Sequence, residues 1–236
     1  MQRSLFIMGH DANMPVLDHV QEFRRRLIII LVVIAIASAI SYSQTDTIIA
    51  LISAPAGKLY FLNPAEVFFS YLKVAVFTGF LVTLPITLWQ IWRFVAPALT
   101  DRETRLFIIL VPVATILFYL GLAFSFFLVL PLAIQFFMGF ATSTLLPMFS
   151  LESYLSFFIT FTLPFGIAFE LPIVLIVLGR LGIIDVTFLK RKQKAFIVIA
   201  FIFAAVISPT GDIFTQTMIA IPMIILYELS ILFMRL

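Results

Sequence analysis

The sequence lacks cysteine altogether and is poor in charged residues. Without cysteine the chain can form neither disulfides nor thiolate metal sites, and it has no thiol nucleophile. Only 11% of its 236 residues are charged and 63% are hydrophobic, whereas a soluble domain has about 25% charged residues. This composition argues against a soluble domain and indicates a membrane protein.

The motifs of common enzymes are missing as well. The glycines follow no phosphate-loop spacing. The only histidines, His10 and His19, lie in the N-terminal tail without neighbouring metal ligands or a nucleophile. The net charge of +3 is small and dispersed. We therefore expect a protein that is not an enzyme, holds no cofactor or metal, and does not bind nucleic acid.

What the sequence does contain is apolar runs near the length of about 20 residues that spans a bilayer as a helix. The short alternating segments of a membrane β-barrel do not occur. We predict an all-α polytopic membrane protein that forms one integral membrane domain over residues 1–236. Its six predicted transmembrane helices cover about 27–42, 67–92, 106–130, 155–178, 195–207 and 213–233.

Residues 1–26 precede the first span and are predicted to form a cytoplasmic tail. Leu17, Val20, Phe23 and Leu27 recur at spacings of three to four, which is typical of one face of an amphipathic helix. A cleaved signal peptide is the alternative, because three arginines, an apolar run and Ala37-Ser38-Ala39 also occur in that order.

The last two predicted spans are short. Residues 195–207 would measure roughly 20 Å as a helix, against a hydrocarbon core of about 30 Å. We expect them to thin the bilayer locally; a re-entrant loop is the alternative. Three loops are predicted, at residues 43–64, 93–105 and 179–194. Phe136–Met138 is predicted to form an interfacial helix. The side chain of Lys73 is predicted to reach the near interface.

The orientation follows from the basic residues. With six spans, all Lys and Arg except Lys58 and Lys73 fall on one side, which is 13 of the 15. Because basic residues concentrate on the cytoplasmic side, both termini are predicted to be cytoplasmic and the protein to reside in the inner (cytoplasmic) membrane.

One carboxylate, Glu170, lies inside the fourth apolar run. An ionisable group at that depth costs roughly 2.5–3.5 kcal/mol or more, so it marks a candidate functional site. Pro164, Gly166 and Pro172 predict a kinked helix. We expect Glu170 to face protein or a wet concavity; a hydrogen-bonded structural glutamate is the alternative. Thr215 and Gln216, which open the last span, are also expected to face partners.

Two further carboxylates, Glu22 and Glu103, lie at span ends on the cytoplasmic side. Glu22 can pair locally with Arg26, and Glu103 lies between Arg102 and Arg105. The alternative is that the two acids bind a cation, since paired guanidiniums require planar bidentate acceptors.

Several motifs in order along the chain resemble one family, TatC, the multispanning core of the twin-arginine protein translocase. The most specific is Phe165-Gly166-Ile167-Ala168-Phe169-Glu170-Leu171-Pro172. The others are His19-Val20-Gln21-Glu22-Phe23-Arg24, Asn63-Pro64-Ala65-Glu66-Val67-Phe68, Gln90-Ile91-Trp92-Arg93-Phe94, Pro97-Ala98-Leu99 before Glu103, and Pro209, Asp212, Gln216, Pro222, Tyr227 and Glu228. Departures at Val20, Phe23, Thr100 and Thr210-Gly211 change packing, not charge.

The resemblance implies a function. Folded proteins with a twin-arginine signal peptide would dock on the cytoplasmic face, where Glu22 and Glu103, with Arg24, bind the arginine pair. Glu170, Thr215 and Gln216 would contact single-span partners of the TatA/TatB type or the inserted signal, and the proton-motive force would drive export. Pro64, Glu66, Phe68, Pro97 and Asp212 are further motif positions. Lipid and further copies of the chain are other expected partners.

Two other functions stay open from the residues alone. A proton-coupled small-solute transporter would also use a membrane carboxylate such as Glu170, but it predicts paired broken helices in two halves, and no second half is visible. A purely structural assembly protein predicts that neutralising Glu22 and Glu103 is harmless.

Overall fold

The computed structural model describes residues 16–95, 101–142, 144, 146–208 and 211–234, with side chains from residue 20 onwards except 95 and 101–108. Ten α-helices occur within these ranges. They are α1 (Val16–Tyr42), α2 (Thr45–Ser53), α3 (Pro64–Val82), α4 (Leu84–Val95), α5 (Asp101–Phe124), α6 (Leu130–Met138), α7 (Leu151–Phe169), α8 (Leu171–Arg180), α9 (Val186–Ile207) and α10 (Ile213–Phe233). A π-helical segment, Ser125–Val129, joins α5 to α6.

The helices agree with the predicted membrane fold. Four helical segments in the described part of the chain are long and apolar enough to cross a bilayer, namely Pro64–Val82, Ile109–Met138, Leu151–Arg180 and Ile213–Phe233. Residues Val20–Tyr42 and α2 would form a fifth if counted together, although the chain bends by 84° between them. The all-α membrane class is therefore confirmed, while six spans and cytoplasmic termini stay predictions.

Two predicted spans are each broken into two helices. The span predicted over 67–92 divides at Thr83, because α4 starts with Leu84-Pro85 and proline favours the first turn of a helix over its interior. The fourth divides at Glu170, one residue before Leu171-Pro172 begins α8. Both breaks place a proline where its missing N–H removes no helical hydrogen bond.

Other boundaries correct the sequence-based expectations. Phe136–Met138 forms the end of the helical run that starts at Asp101, and is not a separate helix. The segment 43–64 contains α2 and a short strand, Leu59–Tyr60, which pairs in parallel with Phe149–Ser150.

The basic cluster Lys190–Lys194 was predicted as a loop but lies inside α9. Asp185 caps that helix: its carboxylate accepts the Phe188 N–H and the Thr187 hydroxyl, and these bonds hold the pKa of Asp185 below its usual range. The helix therefore has 22 residues, and only its apolar part is short. α10 has 21 residues, which is longer than the 19-residue candidate span Pro64–Val82 but shorter than the two 30-residue candidates.

Glycines set the closest helix contacts. A Cβ on Gly79 of α3 would lie 2.6 Å from the backbone nitrogen of Ser38 in α1. A Cβ on Gly121 of α5 would lie 2.4 Å from the carbonyl oxygen of Phe165 in α7. The central core is rich in phenylalanine; its fully buried side chains include Phe161, Phe165, Leu130, Leu155 and Ile219.

Gly79→Leu is expected to lower the thermal unfolding midpoint in detergent, because the atoms that would have to move belong to the backbone of α1. Overpacking typically costs about 1–3 kcal/mol, and the backbone contact places this change at the upper end. Val76→Leu is the matched control, since Val76 lies on the same helix and is 46% exposed. Equal midpoints for the two variants would contradict the close approach of α1 and α3.

Candidate functional site

A polar contact joins the N-terminal part of α1 to α4. The guanidinium of Arg26 donates from Nε to Oε1 of Glu22 at 3.0 Å and contacts the same oxygen through Nη2. Its Nη1 donates to Oε1 of Gln90 in α4 at 3.1 Å. Phe23 and Phe94 pack beside this contact with ring centroids 5.5 Å apart. The local Glu22–Arg26 pair predicted from the i+4 spacing is therefore present.

The second carboxylate oxygen of Glu22 has no such donor. Oε2 is buried, and no described residue donates a hydrogen bond to it. Arg24 and Arg25 are both exposed on the same helix. Because a buried carboxylate oxygen without a donor is costly, Glu22 has an unsatisfied capacity to accept a hydrogen bond.

Glu103 lies in the first turn of α5, which starts at Asp101. Its side chain and the whole of Pro97 lie outside the described residues. Five residues connect the end of α4 at Val95 to Asp101, so the two helix ends are at most roughly 20 Å apart. Gln90 of α4 bonds Arg26, which in turn bonds Glu22 of α1. The starts of α1 and α5 therefore belong to one end of the molecule.

Glu170 occupies the break between α7 and α8. Its N–H donates to the carbonyl oxygen of Ile167 at 3.1 Å. The side chain is half-buried, and Oε1 is buried without a hydrogen-bond partner among the described residues. Gly166, one turn earlier, lies against the ring of Phe118, where a Cβ would be 2.7 Å away. The break thus places a second carboxylate with an unsatisfied oxygen inside the candidate span Leu151–Arg180.

Thr215 and Asp212 are bonded to each other at the turn between α9 and α10. Asp212 caps α10 by accepting the Thr215 N–H at 2.8 Å and its hydroxyl at 2.7 Å. The Thr215 hydroxyl also lies 2.7 Å from that of Ser208, and Gln216 donates to the carbonyl of Gly211 at 3.1 Å. Thr215 is fully buried, and these bonds join it to residues of the same chain. Gln216 is half-buried.

The motif around Pro64, Glu66 and Phe68 starts α3. Pro64 takes the first helical position, where proline is favoured, and Phe68 is 56% exposed. The carboxylate of Glu66 accepts the N–H of Leu62 at 2.7 Å and the N–H of Glu152 in α7 at 2.9 Å. It therefore joins the start of α3 to the start of α7.

This junction was not predicted from the sequence. The spacing of Asn63 and Glu66 indicates a local helix cap, but nothing in it indicates a partner in α7. Lys73, which is predicted to reach the near interface, also has a partner that the sequence did not indicate. Its Nζ donates to the Ser156 hydroxyl at 2.7 Å and lies 3.9 Å from the Glu152 carboxylate, so it bridges to α7. Its position at the interface stays a prediction.

The predicted site residues do not form one site. Arg26, beside Glu22, and Tyr42 are sixteen residues apart on α1, or about 24 Å along the helix. Tyr42 packs against Tyr71 of α3, whose first turn holds Glu66, so Glu66 lies toward the opposite end from Glu22. The described structure joins Glu22 and Gln90 through Arg26, Asp212 to Thr215, and Glu66 to the backbone of Glu152.

These features define a polytopic helical membrane protein with partly buried, incompletely bonded carboxylates at one end and at a helix break. The family model described as "Sec-independent protein translocase protein (TatC)" matches residues 18–222. The chain therefore belongs to the TatC family, whose members are multipass membrane components of a protein translocase.

Relatives and solved structures agree. The chain is 41% identical over 226 residues to the Sec-independent protein translocase protein TatC of Aquifex aeolicus, covering 92% of this chain and 93% of that protein. It is 34% identical to the TatC protein of Escherichia coli K12, covering 97% and 91%. A crystal structure of the twin-arginine translocase receptor TatC matches with a TM-score of 0.81 at 40% identity, covering 92% of this chain and 98% of that one.

Proposed function

We propose that this protein recognises twin-arginine signal peptides on the cytoplasmic face of the inner membrane and takes part in exporting folded proteins. The observation that carries the proposal is the Glu22 carboxylate at the junction of α1 and α4, with one oxygen on a guanidinium and the other without a donor. Guanidinium groups are the cations that best match such a planar acceptor.

Glu103 and Arg24 complete the proposed binding site. Glu103 lies in the first turn of α5, at the same end of the molecule as Glu22. The proposed orientation of six spans places this end, with both termini, in the cytoplasm, where a signal peptide is first met. Arg24 is exposed two residues after Glu22 on α1 and is proposed to contact the peptide backbone.

Glu170 and Gln216 are proposed to contact single-span partners of the TatA/TatB type. Glu170 supports this because its buried oxygen accepts no hydrogen bond from the described residues, and polar groups between membrane helices are satisfied by polar side chains across the interface. Thr215 contributes by holding the start of α10 through Asp212. The proton-motive force is the proposed energy source.

The small-solute transporter gains no support, since both the family match and the matching crystal structures are of a protein translocase. Pro64, Glu66 and Phe68 are proposed to fix the opposite end of the helix bundle, as the Glu66 bond to α7 suggests.

Export of a folded fluorescent reporter with a twin-arginine signal tests the proposal. In cells that lack the protein, the reporter is expected to stay in the cytoplasm, and a plasmid copy of this chain, expressed with its own partners, should restore export. A reporter with Lys-Lys in place of the arginine pair is the control and should be exported far less. Equal export with and without the plasmid copy, at confirmed membrane expression, would contradict the proposal.

A further inference from the structure

We propose that Arg26 is an internal competitor for the Glu22 carboxylate, so that a signal-peptide arginine binds Glu22 only after Arg26 releases it. The inference rests on the proposed function and assigns the chain's own arginine a part in setting how strongly a signal must bind. Arg26 would therefore determine the affinity threshold of the site.

The occupied geometry of Glu22 is the first step. Arg26 places Nε and Nη2 on Oε1, so this oxygen of the carboxylate already binds a guanidinium. Oε2 is buried, and the side chains of Arg26 and Glu22 are only 14% and 21% exposed. Neither carboxylate oxygen is therefore open to a guest arginine while Arg26 holds this position.

Gln90 is the second step, because it gives Arg26 an acceptor on another helix. Arg26 Nη1 donates to Gln90 Oε1 at 3.1 Å. A partly buried guanidinium that loses every acceptor is costly. With Gln90 present, Arg26 keeps one hydrogen bond after its bonds to Glu22 are broken. Gln90 therefore lowers the free-energy cost of exchanging Arg26 for a guest arginine.

Competition has a thermodynamic signature. If only a fraction of the molecules has Glu22 released from Arg26, the apparent Kd of every guest equals its intrinsic Kd divided by that fraction. Removing the competitor lowers the Kd of strong and weak signals by the same factor. A residue that contacts the peptide would change the ratio between the two signals.

The experiment measures the Kd of two fluorescent signal peptides, one with Arg-Arg and one with Lys-Lys, for the full-length protein in nanodiscs. Arg26→Gln is expected to lower both Kd values about twofold to fivefold, the range for releasing a weak ion pair, with their ratio unchanged. Arg25→Gln is the matched control, because Arg25 is exposed and its loss removes the same charge. It should produce a smaller change in both.

A second variant isolates Gln90. Gln90→Leu is expected to raise the Kd of the Arg-Arg peptide in the unmodified background and to leave it unchanged in the Arg26→Gln background, because without Arg26 there is nothing for Gln90 to hold. Arg26→Lys retains the charge without the guanidinium fork and should give an intermediate Kd. It replaces Arg26→Gln as the test if that variant proves unstable in a thermal unfolding check.

The outcomes separate the two proposals. If the unmodified protein binds the Arg-Arg peptide no better than an unrelated peptide, the proposed function is wrong. If it binds that peptide but Arg26→Gln and Arg26→Lys bind no better than Arg25→Gln, or if they change the Arg-Arg to Lys-Lys ratio, the competition is wrong while the proposed function stands.

Discussion

Glu22→Gln is expected to weaken binding of an Arg-Arg signal peptide by about tenfold to a hundredfold, and Glu103→Gln to have an effect of the same order. A hydrogen bond to a charged group contributes about 1.5–3 kcal/mol, and roughly 1.4 kcal/mol corresponds to tenfold in Kd. Glutamine keeps the size of the side chain but removes the charge that a guanidinium requires. Peptide binding in nanodiscs and site-specific crosslinking of the signal to the protein both measure the effect.

The control for these two variants is Glu152→Gln. Glu152 is a half-exposed carboxylate near the start of α7, at the end of the molecule that holds Glu66. The same change of charge there should leave signal binding intact, so a general electrostatic effect would show in all three variants. Undiminished crosslinking in both Glu22→Gln and Glu103→Gln would show that these two carboxylates do not bind the signal peptide.

The sequence predicts those features of the fold that depend on local pattern. Apolar runs of bilayer length indicate the helices, and the i+4 spacing of Glu22 and Arg26 indicates their pair, because both follow from the period of one helix. The break at Glu170 is likewise suggested by the proline two residues later. These are properties of a segment and do not require knowledge of its neighbours.

Contacts between distant segments could not be predicted in the same way. Gln90 lies 64 residues from Arg26, and the Glu152 N–H lies 86 residues from the Glu66 carboxylate that accepts it. Neither partner carries a local signal, since a glutamine or a backbone N–H is ordinary in sequence. The bond from Lys73 to Ser156 could not be predicted for the same reason, because the two residues meet only once α3 and α7 are packed together.

The boundaries of α9 show a different limit. The run of charged residues at Lys190–Lys194 predicts a loop only if charge is read as the end of a helix, but lysine, arginine and glutamine are good helix formers. Asp185 supplies the cap that starts the helix before them. The end of an apolar run therefore marks the end of the candidate membrane-spanning part, and the helix itself continues until its capping residue.

Glu170→Leu is expected to weaken association with a single-span partner by about threefold to thirtyfold, whereas Glu170→Gln should be largely tolerated. An interhelical hydrogen bond in a membrane contributes about 0.6–2 kcal/mol. Glutamine keeps an acceptor and adds a donor at the same position, so it can still bond a polar group on a partner helix. Leucine has neither, and its apolar side chain leaves that partner group without a hydrogen bond.

Co-purification of an epitope-tagged partner in mild detergent, scored against the amount of this protein recovered, measures that association. Thr162→Val is the matched control: Thr162 also lies on α7 and also has a buried oxygen without a described partner, but it belongs to the helix interior and not to the break. If loss of any unsatisfied polar group on α7 reduced association, the two variants would behave alike. Wild-type recovery of the partner with Glu170→Leu would show instead that Glu170 serves only the packing of α7 and α8.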